Sequence, residues 1–349
     1  MTSPLQLRDR SDAGKLAVGG PDAAAFLQAL LSTDLGGLAP GAGRSTALLT
    51  PKGRVRALAR VLAVERGYLL HCERPALEGL FRGLWGGRIG WRAELHKLTL
   101  QQGLVTVVGD DAAGLLGLPL DAAAPEHAHV ATDLAGIPVR AVRSWAGVDL
   151  VCRADKVAAL LAAIEQRARE SGALAEPAGH AAGAAARGAG AAARGPAAAA
   201  RGTGAGGCDC DAPSWTALRI AAGRVAYGCD ATEADLPAEL ALGPATVATE
   251  KGLYPGLQTV LRQQRSGTVH RRLCRVHAGR ALLAPGDLLL PAGADPSAGD
   301  GVKPAGTITS AAAFDGLALV RANAATPLVH AETGTPVEVV PLEEARPSL

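Results

Sequence analysis

Aromatic residues are scarce in this 349-residue chain, at 3% of the sequence, and there is a single methionine. So few rings exclude a base-stacking platform of the kind that binds single-stranded RNA. Charge of either sign is not in excess: 35 basic against 33 acidic residues leave +2, which argues against a dedicated nucleic-acid binder. No uncharged apolar run reaches the ~18 residues that a membrane-crossing helix needs. Met1–Arg10 lacks the apolar stretch of a secretory signal, so a cytoplasmic location is expected. The six cysteines, Cys72, Cys152, Cys208, Cys210, Cys229 and Cys274, are too dispersed for a disulfide framework and read as ordinary reduced thiols. Cys208 and Cys210 form a C-x-C with no second pair, and His127-Ala-His129 has no third ligand at sensible spacing, so no metal site is expected. A phosphate-binding G-x-x-x-x-G-K-[ST] loop, a G-x-S-x-G elbow and a dinucleotide fingerprint are all missing.

What is present is apolar residues, at 48%, enough for two or three packed units. From Pro177 to Pro213 the chain is almost wholly Ala, Gly and Arg, with Ala-Ala-Ala-Arg-Gly recurring at 184–188 and 198–202. Such a tract buries too little apolar area to offset its ordering entropy and reads as a flexible insert. Ahead of it, Asp22–Leu31, Pro75–Trp85 and Lys156–Gly172 carry helical periodicity. Ser45–Leu49 and Val55–Val64 read as a hairpin around Pro51-Lys52-Gly53, with further strands at Lys15–Val18, Gln101–Val108, Val139–Val142 and Val148–Val151. Behind the insert, Trp215–Gly223 reads as a helix and Arg224–Gly267 as loop-rich. Short strands cut by Gly, Pro and Asp then run from His270 onward, as in a small β-barrel. Mixed strands and helices without strict alternation give an α+β, multi-domain architecture.

Several ordered motifs carry a resemblance. Lys251-Gly-Leu-Tyr-Pro-Gly-Leu-Gln-Thr-Val-Leu-Arg262 resembles the K-G-C-Y-x-G-Q-E motif of the YgfZ branch of the glycine-cleavage T-protein (GcvT) superfamily. Lys251, Gly252, Tyr254, Gly256 and Arg262 match, whereas Leu253 stands at the cysteine and Leu257-Gln258 at the Gln-Glu. Gly19-Gly20-Pro21-Asp22, Phe26-Leu27-Gln28 with Asp34, Thr50-Pro-Lys-Gly-Arg54, Arg219-Ile-Ala-Ala-Gly223, Pro237-Ala-Glu239, Arg265-Ser-Gly267, His270-Arg-Arg-Leu273 and Gly306-Thr-Ile-Thr-Ser310 are similar to family motifs in the same order. The resemblance covers nearly all of the chain outside the insert.

It implies a GcvT/YgfZ-like folate-binding core around a central channel (1–176 and 214–267), the insert (177–213) and a C-terminal β-barrel domain (268–349). It also implies tetrahydrofolate as ligand, with Lys251, Gly252, Tyr254, Gly256, Arg262 and Trp145 as candidate binding residues. The aminomethyltransferases of the superfamily use an acidic pair on the early hairpin, and Arg56 and Ala57 stand there in this chain. A carboxylate suits that role because it favours a developing positive centre. Trp145 or Ala146 stands at the carboxylate that would meet the pterin, and Ala221 at the glutamate of R-x-E-x-G. Trp145 reads either as a stacking partner for a pterin or as a core tryptophan. Arg262 reads either as a contact for the folate glutamate or as a loop-anchoring ion pair. Gly252 and Gly256 read as backbone requirements of a tight loop.

No catalytic residue is assigned. The expected function is a non-catalytic, YgfZ-like folate-binding protein supporting iron–sulfur cluster assembly or repair, or tRNA-modification enzymes, with iron–sulfur enzymes or assembly proteins as partners. The rivals are a folate-dependent aminomethyltransferase using a displaced carboxylate at Asp34, Asp149 or Glu239, and a scaffold that has lost its ligand.

Overall fold

The computed structural model describes residues 6–121, 123–171, 213–293 and 303–342. The Ala/Gly/Arg tract, Cys208 and Cys210 therefore lie outside the described residues, except Pro213, which begins a helix. The elements segregate into two compact units.

The first unit holds strands β1 (Gln6–Asp9), β7 (Gln102–Val108), β8 (His129–Leu134), β9 (Ile137–Ser144) and β10 (Gly147–Arg153), with helices α3 (Ala112–Leu115) and α4 (Val157–Glu170). The sheet runs β1-β7-β10-β9-β8. The paired strands expected at 139–142 and 148–151 are β9 and β10, antiparallel with Ser144 opposite Gly147. Helix α4 buries Leu160, Ile164 and Ala168 at four-residue spacing, which puts all three on one face. These side chains join Val105, Val107, Val148 and Leu150 in a single core.

The second unit holds β2 (Gly14–Gly19), α1 (Ala23–Leu30), β3 (Gly43–Leu49), β4 (Val55–Val64), β5 (Gly67–Cys72), α2 (Leu77–Gly86) and β6 (Glu94–Lys97). Its sheet runs β3-β4-β5-β2-β6, with Leu16, Val18, Val61 and Leu70 packed against Phe26, Leu27, Leu80 and Leu84 of the helices. Asp22 precedes α1 but makes no capping bond; its carboxylate is held instead by Arg92, at 2.9 and 3.0 Å. Helix α5 (Pro213–Ala221) follows, and then α6 (Leu257–Ser266). Six strands, β11 (Arg271–His277), β12 (Leu288–Pro291), β13 (Gly306–Ala312), β14 (Asp315–Arg321), β15 (Leu328–His330) and β16 (Pro336–Pro341), close into a barrel in the order β11-β14-β13-β12-β15-β16.

Arg224–Gly267 is loop-rich as expected, interrupted by α6 at Leu257–Ser266 and a turn of 3₁₀-helix at Pro237–Leu240. Helix α6 starts from Gly256 rather than from a capping Ser, Thr, Asn or Asp, so its usual start signal is absent. It is held by burial of Leu257 and Val260. Cys72, Cys152 and Cys274 are free and buried, but Cys229 is disulfide-bonded, which corrects the reading of all six as reduced thiols.

Candidate functional site

The loop that carries the Lys251 motif is stitched onto the connection after α1. The Ser32 hydroxyl donates to the Thr246 carbonyl at 2.6 Å and Thr33 to the Ala245 carbonyl at 3.0 Å. The amide of Ala248 returns a bond to the Ser32 carbonyl at 2.9 Å. Buried backbone groups need such partners in a segment that has no ladder of its own. The stitching brings the start of the motif against Gln28 and Asp34.

There, Gln28 acts as a hub. Its Nε2 donates to Asp34 Oδ1 at 2.9 Å and to the Lys251 carbonyl at 3.3 Å, while its Oε1 accepts from the Leu35 amide at 2.7 Å. Asp34 Oδ1 also accepts from the Gly36 amide at 2.9 Å. The Gly36 amide, then the Gln28 side chain, hold the Asp34 carboxyl below its ordinary value, with Arg44 and Lys251 adding positive charge nearby. Lys251 Nζ donates to the Gln28 carbonyl and lies 4.9 Å from the centre of the Tyr254 ring. Half-burial pulls the Lys251 ammonium down to about 8, against a smaller upward pull from Asp34. Tyr254 is buried and donates its hydroxyl to the Ala248 carbonyl at 2.8 Å; burial pushes its phenol up to about 12. A cavity of about 570 Å³ borders this cluster, lined by Gln28 and Gly36 together with Ala24, Leu35, Gly37 and Tyr68.

The glycines of the motif differ in what they do. Gly256 has φ +86, and a Cβ there would lie 2.7 Å from the Thr50 carbonyl oxygen and 2.8 Å from the Gly53 Cα. It lets the Lys251 loop close onto the Thr50-Pro-Lys-Gly-Arg54 turn, so two motifs far apart in sequence touch through bare backbone. Gly252 has φ +100 with nothing within 4 Å, so only its backbone conformation calls for glycine. Leu253, at the position of the motif cysteine, is 80% exposed.

Arg262 lies on the exposed face of α6, where it lines a shallow cavity of about 410 Å³ with Gln258, Leu261, Arg265 and Ser266. It makes no ion pair among the described residues, so the loop-anchoring reading of Arg262 has no support. Trp145 is half-buried at the β9–β10 turn of the first unit, whereas the other five candidates belong to the second. Sequence reading named Asp34 only as a possible displaced catalytic carboxylate and missed Gln28; neither was joined to Lys251. Both lie in the Phe26-Leu27-Gln28…Asp34 motif, which was the available signal.

Of the three carboxylates named for an enzymatic role, Asp34 belongs to the Lys251 cluster and the other two are engaged elsewhere. Asp149 is buried and accepts from Thr106 Oγ1 at 2.7 Å. Glu239 is buried, accepts from the Leu236 amide at 2.9 Å and pairs with Arg271 at 3.2 Å. Arg56 pairs with Glu233 at 3.2 Å, and Ala57 is packed in the core. His127 Nε2 shares a hydrogen bond of 2.8 Å with Ser45 Oγ. Among the described residues, no group of three His, Cys, Asp or Glu is placed to hold a metal ion, and no helix is long and apolar enough to cross a membrane.

Comparison with solved structures decides the fold. The crystal structure of the glycine cleavage system aminomethyltransferase T from Bartonella henselae superposes with a TM-score of 0.72, at 17% identity over 99% of this chain and 88% of that one. The chain has the aminomethyltransferase fold. Residues 270–347 match the family model of the CAF17 C-terminal β-barrel domain, which corresponds to the closed barrel of this aminomethyltransferase-like fold. A heterotetrameric sarcosine oxidase from Corynebacterium sp. U-96 matches at 22% identity over 50% of this chain and 88% of that chain; its TM-score of 0.38 is too low to carry an argument. No curated protein matches the chain.

Proposed function

We propose that this aminomethyltransferase-like chain is a non-catalytic folate-binding protein of the YgfZ type. The observation that carries the reading is Asp34. Its Oδ1 takes both bonds, from Gln28 and Gly36, and its Oδ2 accepts none among the described residues. An ionised carboxylate with one open oxygen, beside an amine and a cavity of about 570 Å³, suits a ligand that offers N–H donors at one end and carboxylates at the other. Tetrahydrofolate is such a ligand. Arg262 and Arg265, exposed on α6, are the proposed contacts for its glutamate. Asp149 and Glu239 are both bonded internally and Arg56-Ala57 carries no negative charge, so an aminomethyltransferase reading would rest on Asp34 alone. On this reading the protein serves partner enzymes, iron–sulfur enzymes or their assembly proteins, as a folate-loaded accessory.

Calorimetric titration of tetrahydrofolate into the purified protein tests it. Micromolar binding that weakens in Asp34→Asn and Lys251→Ala, with Arg262→Ala weakening binding of the glutamylated ligand alone, is the expected result. A well-folded sample that takes up no folate at millimolar concentration overturns it.

A further inference from the structure

Lysine is rare here. The chain has six, at positions 15, 52, 97, 156, 251 and 303. They sit in different surroundings. Lys97 is paired with Glu78 at 2.6 Å, Lys15 is fully buried, and Lys52, Lys156 and Lys303 are exposed.

Lys251 is unlike all of these. It is half-buried, and its Nζ meets a carbonyl oxygen, of Gln28, and a ring face, of Tyr254. No carboxylate lies within ion-pair distance of it among the described residues. The nearest acid is Asp34, whose Oδ1 is already occupied by Gln28 and Gly36. A half-buried ammonium without a counter-charge is disfavoured relative to the neutral amine. The Gln28 carbonyl and the Tyr254 ring each favour the charged form, but neither supplies a full counter-charge against the half-burial. Next to the lysine, a Cβ at Gly252 would meet nothing within 4 Å, so the loop is uncrowded at that point.

We infer that Lys251 is a nucleophilic amine that captures small aldehydes as a Schiff base. In this step the neutral Nζ attacks the carbonyl carbon, and a proton moves from nitrogen to the former carbonyl oxygen, giving a carbinolamine. The hydroxyl then leaves as water, taking a proton from solvent, while the nitrogen lone pair forms the C=N bond and the remaining N–H proton is lost from the iminium. Nothing is oxidised or reduced, and water is the only by-product. The depressed titration of Lys251, to about 8, agrees with the geometry by enriching the reactive form near neutral pH. This capture rests on the Lys251 loop being open to ligand and not on folate being that ligand.

The test is reductive trapping. The full chain is treated at pH 7 with substoichiometric acetaldehyde and cyanoborohydride, and ethylation of each lysine is followed by peptide mass spectrometry. Lys251 is expected to be ethylated on the order of tenfold faster than Lys52 or Lys156, because a larger fraction of it is neutral. The preference should vanish in urea. It should rise at pH 7 in Asp34→Asn, which removes the nearby negative charge while the retained amide keeps the bonding partners. Ethylation of Lys251 no faster than that of the exposed lysines, or a preference that persists in urea, overturns the inference. Folate binding on the same preparation reads the proposed function separately: selective trapping without folate binding keeps this inference and removes that one, and folate binding without selective trapping does the reverse.

Discussion

Arg219 and Asp230 form a buried ion pair where helix α5 meets strand β13 of the barrel. The arginine Nη2 donates to Ser310 Oγ at 2.5 Å and Nη1 to the Arg224 carbonyl at 2.7 Å. Asp230 accepts from Thr309 at 2.7 Å, from Ser310 at 2.6 Å and from the Ala226 amide at 3.0 Å. Arg219 belongs to the R-x-E-x-G-like motif and Thr309-Ser310 to the G-x-I-T-S-like motif. Their shared partner explains both as a clamp on the barrel. Asp230→Ala leaves the guanidinium buried without its counter-charge and should cost about 3–5 kcal/mol, read by urea denaturation.

The two arginine clusters at the β4 end of the unit should respond differently. The Arg56–Glu233 pair is solvent-exposed on the glutamate side, at 54%, so Arg56→Ala should change stability by less than about 1 kcal/mol. Arg271 bridges Asp235 and Glu239, which are 0% and 6% exposed. Arg271 itself is a third exposed, so Arg271→Ala should cost more than Arg56→Ala yet less than the ~3–5 kcal/mol of a fully buried pair. Denaturant midpoints of the two variants check the order.

Gly256 and Gly252 separate steric crowding from backbone conformation. Gly252→Ala meets open space and should cost only the left-handed backbone penalty, roughly 1–2 kcal/mol. Gly256→Ala adds a clash with the Thr50 carbonyl and the Gly53 Cα, for roughly 1–3 kcal/mol more. Thermal melts should therefore rank Gly256→Ala well below Gly252→Ala, and equal losses would contradict the contact between the two motifs.

Lys251 gives a pH dependence of defined sign. Its folded value, about 8, lies below its ordinary 10.5, so between these values the unfolded chain binds more protons and stability rises with pH. The cost of holding the ammonium half-buried is fully present below pH 8 and is relieved as pH rises toward 10.5. Lys251→Met keeps the aliphatic length and never carries the charge. Its thermal midpoint relative to the parent should be more favourable at pH 7 than at pH 10, and a difference independent of pH would contradict the shift.

Much of the secondary structure was legible because it is encoded locally. The 43–64 hairpin announces itself by two apolar runs around Pro51-Lys52-Gly53, and α1 by Phe26, Leu27 and Leu30 at helical spacing. Helix α6 was not legible: it begins at a glycine and is polar apart from a few anchoring residues. Strand β15 has three residues, too few to establish alternation.

The sequence by itself determined most strands and turns of the barrel, the hairpin and most helices, since side-chain period and turn chemistry act over a few residues. It also determined that Arg56 and Ala57 leave the hairpin without a carboxylate, which is a matter of residue type alone. Only the tertiary structure decided that Asp34, Gln28 and Lys251 form one cluster and that Arg219, Asp230 and Ser310 form another. Gln28 and Lys251 stand 223 positions apart, and no local pattern encodes which carbonyl will meet a given ammonium. That pairing is set when Ser32 and Thr33 take the backbone of the 245–248 loop, because buried carbonyls accept whatever donors the packed core brings within reach.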